Sequence, residues 1–169
     1  TLAAESVPLA HAQGRTLARD GRAREDIPPF STATMDGYAV RAADTRRPGP
    51  DASGGVELEV LGDLPAGRMP RTAVGPGQAV RIMTGAPLPK AADAVVMVED
   101  TEASGCTVKV RREVRQGDII GLAGEDLKKN EIALERGTLI GPAETGMLAA
   151  AGRARVPVTR RPTLAVIAT

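Results

Sequence analysis

Residues 34–40 read TMDGYAV, directly after the turn-rich PPFSTA at 28–33. The stretch places the only tyrosine of the chain, Tyr38, beside an Asp-Gly pair. An Asp-Gly turn leading into Tyr38-Ala39-Val40 reads as the start of a strand. The same turn can also present the Asp36 carboxylate to a ligand. A strand start and a displayed acid are compatible, and the residues further along bear on both.

Downstream the pattern is β. VELEVL (56–61) sets Val56, Leu58 and Val60 against Glu57 and Glu59, the alternation of a half-buried strand. AVRIM (79–83) puts Val80 and Ile82 on one face, TVKVRR (107–112) alternates again, and the unbroken apolar run AVVMV (94–98) predicts a central strand. Nineteen glycines and thirteen prolines punctuate these runs, which predicts a small barrel or sandwich rather than a helical bundle. A Pro/Gly/Ser loop is expected at 46–55.

The ends differ from the middle. PLAHAQGRTLA (8–18) fits a short helix with Pro8 at its first position and Leu9, Ala12, Thr16 and Leu17 on one face, although Gly14 weakens it. In GPAETGMLAAAG (141–152), Pro142 opens a helix, Glu144 favours its positive end and Gly152 closes it. RVPVT (155–159) and TLAVIA (163–168) then read as strands. The expected class is mainly β with a few short helices. The two ends, 1–33 and 123–169, are expected to pack as one mixed domain, with 34–122 inserted as a β-barrel-like domain. An apolar, strand-like run at the very end, TLAVIAT, suggests a piece of a longer protein.

Composition narrows the function. The chain has 169 residues, 22 basic and 21 acidic, so no net field draws it to nucleic acid or an anionic membrane. Phe30 and Tyr38 are the only aromatics, too few for base-stacking platforms. The single cysteine, Cys106, excludes an internal disulfide and a thiolate metal cage, which fits a cytoplasmic protein. No leader-like or membrane-spanning apolar run is present. His11 has no nearby partner for catalysis, and Gly141 and Gly146 have P-loop spacing but are followed by Met147-Leu148 instead of the required lysine and hydroxyl.

Three turns pair glycine with polar side chains at strand ends: Met35-Asp36-Gly37-Tyr38, Met83-Thr84-Gly85-Ala86-Pro87 and Gly124-Glu125-Asp126-Leu127. Glycine permits positive φ and close backbone approach, so such turns can aim N–H groups at an anion. Thr84 could add a hydroxyl donor, while Asp36 or Asp126 could hold a divalent cation. Taken singly, each is more often an ordinary turn that needs no ligand.

Together the strings go further. IPPFSTATMDGYAVRAADT (27–45), LPAGRMP (64–70), GPGQAVRIMTGAPLPKAADAVVMVEDT (75–101), VRQGDIIGLAGEDLKKNEIALERGTLIGP (114–142) and AAAGRARVPVTRRPTLAVIAT (149–169) resemble, in order, the N-terminal part of the MoeA family, the molybdopterin molybdenumtransferases that include the gephyrin E domains. The resemblance implies the first two domains of a four-domain protomer: an elongated mixed domain built from both ends, and an inserted β-barrel-like domain. An α/β domain is expected after residue 169. The implied reaction inserts molybdenum from molybdate into adenylylated molybdopterin with Mg²⁺, in a cleft between the inserted domain of one protomer and the α/β domain of the other in a homodimer.

By the same resemblance Asp36, Thr84 and Asp126 are the catalytic candidates. Gly37, Gly85 and Glu125 are substrate-binding candidates, and Asp36 and Asp126 the metal ligands. Molybdopterin adenylyltransferase and other proteins of the cofactor pathway are the implied partners. A non-catalytic dimerisation scaffold that binds a peptide is the alternative role of the same fold. One departure stands out: family members commonly read Phe-Asp-Asn-Ser-Ala before Met-Asp-Gly-Tyr, where this chain has Phe30-Ser31-Thr32-Ala33-Thr34. That exchange puts the turn's local hydrogen bonds in question.

Overall fold

The computed structural model describes residues 2–46 and 54–168; positions 47–53 of the expected loop at 46–55, and Thr169, lie outside the described residues. The chain forms two compact units, Phe30–Ala123 and the pair of end segments Thr1–Pro29 with Gly124–Thr169.

In the unit of Phe30–Ala123, the predicted alternation appears as β4 (Gly37–Val40), β5 (Val56–Leu64), β6 (Gln78–Ile82), β7 (Ala94–Met97), β8 (Thr101–Ser104) and β9 (Thr107–Val110). They form one curled, half-barrel sheet in the order β7-β4-β6-β5-β9-β8. β4 pairs antiparallel with both β6 and β7, whereas β5 and β6 run parallel. All four residues of β4 are buried, and its side chains alternate between two cores. Tyr38 and Val40 join Leu58, Val96, Val108 and Val110 on one face; Ala39 joins Ile82, Val95, Leu64 and Val74 on the other. Full burial of each large aliphatic side chain contributes about 1.5–3 kcal/mol. Thr45 is the exception in this interior: its hydroxyl donates to Ala42 O at 2.9 Å and accepts from Val114 N–H at 3.1 Å.

The run AVVMV is not central as expected. β7 is a sheet edge, and its apolarity reflects covering of that edge by a turn instead of flanking strands: Val95 N–H donates to Asp118 O at 3.0 Å, and Gly117 N–H to Asp93 O at 2.8 Å. A two-residue pair, β3 (Thr32–Ala33) with β10 (Ile120–Gly121), lies in the same unit.

The end segments assemble β1 (Ala4–Pro8) antiparallel with β12 (Arg155–Thr159), and β2 (Gly21–Arg22) with β11 (Ile132–Leu134). Their core is Ala12, Leu17, Ile140, Leu148, Val156 and Val158. The helix α1 (Pro142–Ala150) forms as expected. Glu144 caps the Gly141 N–H at 2.9 Å. At the other end Gly152, with φ +73°, lets its own N–H and that of Arg153 reach Ala149 O and Leu148 O.

Two expectations fail here. The helix predicted at 8–18 is a single 3-10 turn, Leu9–His11. Gly14 takes φ +73°, outside any right-handed helix, and the following backbone bonds instead to 138–140: Leu17 N–H to Thr138 O at 2.9 Å and Ile140 N–H to Arg15 O at 2.9 Å. The strand predicted at 163–168 is irregular, because no strand of the described chain pairs with it; Leu164 is 83%, Val166 96% and Ile167 84% exposed. No helix among the described residues is long and apolar enough to cross a membrane.

Candidate functional site

Asp36 sits at the entrance to β4, and the geometry that puts it there begins one residue later. Gly37 is buried between β6 and β7; a Cβ on it would stand 2.9 Å from the Val96 carbonyl carbon, 3.0 Å from Val95 Cγ1, and closer still to the Val96 oxygen. Only glycine lets β7 approach this closely. The carbonyl of Asp36 then accepts from Val98 N–H at 3.2 Å, so its backbone is tied to the sheet while its side chain stays exposed.

The turn after β6 comes to meet it. Thr84 donates twice to the same carboxylate oxygen, Oδ1 of Asp36: from its backbone N–H at 2.8 Å and from its hydroxyl at 2.7 Å. Gly85 holds φ +80°, which turns the chain so that its own N–H donates to Ala33 O at 2.8 Å, and Ala86 N–H returns to Met83 O at 2.9 Å. The MDGY and MTGAP turns, 48 residues apart in sequence, are one structural element.

This arrangement corrects one chemical expectation. The donors around Thr84-Gly85, expected to meet an oxyanion, are engaged within the chain: two on Asp36 and one on Ala33. What the element displays is a carboxylate. The Thr84 N–H, then the Thr84 hydroxyl, and to a smaller extent the charge of Arg81, hold Asp36 below the ordinary aspartate range against a small opposing effect of desolvation. Asp36 is therefore ionised at neutral pH, with Oδ1 fixed and Oδ2 without a hydrogen-bond partner among the described residues. Arg81 is not singled out in the sequence; it comes near Asp36 through its place across from Tyr38 in the β4–β6 register, which no local sequence pattern shows.

The other candidates divide between the units. Gly37 and Gly85 shape the Asp36–Thr84 element. Glu125 and Asp126 belong to the unit of the end segments and are exposed. Their turn is held by backbone: Gly124, with φ +71°, donates to Pro28 O at 2.9 Å, and Asp126 N–H donates to Ile27 O at 3.0 Å. Among the described residues there is no cluster of three or more His, Cys, Asp or Glu placed to hold a metal.

The departure at 31–34 is accommodated without Asp or Asn. Ser31 Oγ accepts from Ala123 N–H at 3.2 Å, Ser31 O accepts from Leu88 N–H at 2.9 Å, and Thr34 N–H donates to Ile119 O at 3.1 Å.

Comparison with known proteins agrees with this architecture. Residues 1–152 match the family model described as MoeA N-terminal region (domain I and II). The molybdopterin molybdenumtransferase of Bacillus subtilis (strain 168) is 41% identical over 169 residues, covering 98% of this chain and 39% of that protein. Molybdopterin molybdenumtransferase 2 of Mycobacterium tuberculosis (strain ATCC 25618 / H37Rv) is 42% identical over 164 residues, covering 97% of this chain and 40% of that protein. The crystal structure of the molybdopterin biosynthesis MoeA protein from Pyrococcus horikosii superposes with a TM-score of 0.90 at 38% identity, over 96% of this chain and 41% of that one. The chain thus spans about two-fifths of the length of these relatives. With both its sequence and its half-barrel fold matched, the chain belongs to the MoeA family, of which it is an N-terminal region.

Proposed function

We propose that the intact protein carrying this chain is a molybdopterin molybdenumtransferase, which moves molybdenum from molybdate onto adenylylated molybdopterin, and that Asp36 and Thr84 contribute to its active site. The observation that carries the reading is the carboxylate of Asp36, ionised, exposed and fixed by two donors from Thr84, in a chain of this family. Thr84 orients the acid and keeps its charge; Gly37 admits the tight strand contact that holds the acid's backbone. Asp126, on its own turn in the other unit, is proposed as a second acid of the reaction.

The residues present suit Mg²⁺ in one respect. Mg²⁺ is commonly held by one or two carboxylates together with water and substrate oxygens, and the outward Oδ2 of Asp36 is such a single carboxylate oxygen. Asp36 and Asp126, each in its own unit, are candidate carboxylate ligands for such an ion. Bound there, the ion would supply the positive charge that lets a carboxylate and the molybdate dianion share a site. A cytoplasmic homodimer, served by a molybdopterin adenylyltransferase, is part of the same proposal.

The test is molybdate- and Mg²⁺-dependent cofactor formation by the intact protein. Thr84→Ala, which loosens the orienting contact, is expected to lower turnover about 10- to 100-fold, and Asp36→Ala by more. Wild-type turnover in a folded Asp36→Ala protein would remove Asp36 from the reaction.

A further inference from the structure

The loop that displays Asp126 closes around another acid, one that belongs to none of the motifs above. Asp26 stands just before Ile27-Pro28 and is half-buried, whereas Glu125 and Asp126 are exposed. All three lie in the unit of the end segments. Asp26 touches the loop at both of its ends. At residue 129, Asp26 Oδ1 accepts the Lys129 N–H at 2.8 Å. At residue 124, the buried Gly124 packs against the same side chain: a Cβ added there would stand 3.3 Å from Asp26 Cγ and 3.5 Å from Asp26 Cβ.

Between these contacts the main chain fixes only the middle of the loop. Ile27 N–H donates to Leu127 O at 2.8 Å, and Ile27 O accepts from Asp126 N–H at 3.0 Å and Leu127 N–H at 3.1 Å. The return of the chain depends on side chains. Glu131 Oε2 accepts the Lys128 N–H at 2.9 Å, and Asp26 accepts the next N–H, that of Lys129. A carboxylate acceptor makes such a bond about twice as strong as a neutral one. The two aspartates therefore do opposite things. Asp26 is turned onto the loop's backbone, while the Asp126 carboxylate has no hydrogen-bond partner among the described residues and is left exposed.

We propose that Asp26 is a positioning residue for Asp126: its side chain clamps the loop 124–129 at both ends, so that the Asp126 carboxylate is presented in one fixed place. A displaced acid can cost a reaction heavily even when the displaced group itself is unaltered. The effect on turnover rests on the reading of Asp126 as a second acid of the transfer reaction; the hold on the loop does not, and it is read without turnover.

The test compares Asp26→Ala with Asp26→Asn in the intact protein, by amide hydrogen exchange of the segment 124–129 read by mass spectrometry and by cofactor formation from molybdate. Asp26→Ala removes the acceptor of the Lys129 N–H and should speed exchange there about tenfold and lower kcat/KM about tenfold. Asp26→Asn keeps an Oδ1 acceptor at the same place and should restore most of both. In an Asp126→Ala background, Asp26→Ala should cost no further turnover. Unchanged exchange in Asp26→Ala, an Asp26→Asn protein as impaired as Asp26→Ala, or losses that multiply with Asp126→Ala would overturn the proposal. Wild-type turnover in Asp126→Ala would instead remove Asp126 from the reaction proposed above, and the exchange comparison would still decide whether Asp26 holds the loop.

Discussion

Gly37→Ala tests the packing that holds Asp36 in place. The added methyl would lie 2.9 Å from the Val96 carbonyl carbon and 3.0 Å from Val95 Cγ1, with the Val96 oxygen nearer still. A normal carbon–carbon contact is about 3.5–4.0 Å, so the β4 and β7 backbones must separate. The atoms that must yield are backbone, which places the cost at the upper end of overpacking, about 3 kcal/mol. For a domain of this size that lowers the thermal midpoint by about 12 °C or more.

The assay is specific, because the chain has no tryptophan and one tyrosine, and Tyr38 is 4% exposed in this unit. Tyrosine fluorescence therefore follows unfolding of the half-barrel unit. A Gly37→Ala protein whose Tyr38 transition lies within about 2 °C of wild type, corresponding to roughly 0.5 kcal/mol or less, would refute the close-approach argument.

Further expectations follow from single contacts. The Asp36 carboxyl, followed by ¹³C NMR, should titrate below the ordinary value of about 3.9. Its folded-state value is depressed, so the Asp36–Thr84 contact is fully present above about pH 4 and is lost as pH falls through the lowered value. Thr84→Ala should raise that value only partway, because the backbone N–H, the larger cause, remains; no change at all would mean that the hydroxyl bond is absent in solution. Thr45→Val removes the acceptor of Val114 N–H from a buried position and should destabilise by about 1–3 kcal/mol in chemical denaturation, whereas a neutral result would show that another group satisfies that N–H. Gly152→Ala forces a side chain into φ +73° at the end of α1 and should cost about 1 kcal/mol by the same method, with Gly152→Asn costing less.

The elements legible in the sequence were those whose signal is local. Alternation in VELEVL and TVKVRR gave β5 and β9 because one face of each is buried within the sheet's own unit. Pro142, Glu144 and Gly152 bracketed α1 because capping chemistry lies within a turn of each helix end. The pairing of Asp36 with Thr84 was legible only as two separate glycine turns; joining them depends on the antiparallel β4–β6 register, which no local pattern encodes.

Long-range partners account for the failures. The segment around Gly14 has helical spacing of apolar residues, yet Leu17 and Ala12 are buried by Ile140 and Val158, over a hundred residues away. The strand AESVP exists because RVPVT pairs with it. TLAVIA has strand composition and no partner strand in the described chain, so it stays irregular. AVVMV shows that burial and centrality are separable, since a turn can cover an edge as completely as a strand.

The most direct test of the central claim is a double-mutant cycle on turnover by the intact protein, with Asp36→Ala, Thr84→Ala and the pair. If Thr84 acts by holding Asp36, the double variant should be no slower than Asp36→Ala alone. Losses that multiply in the double variant would show two independent contributions and contradict the account.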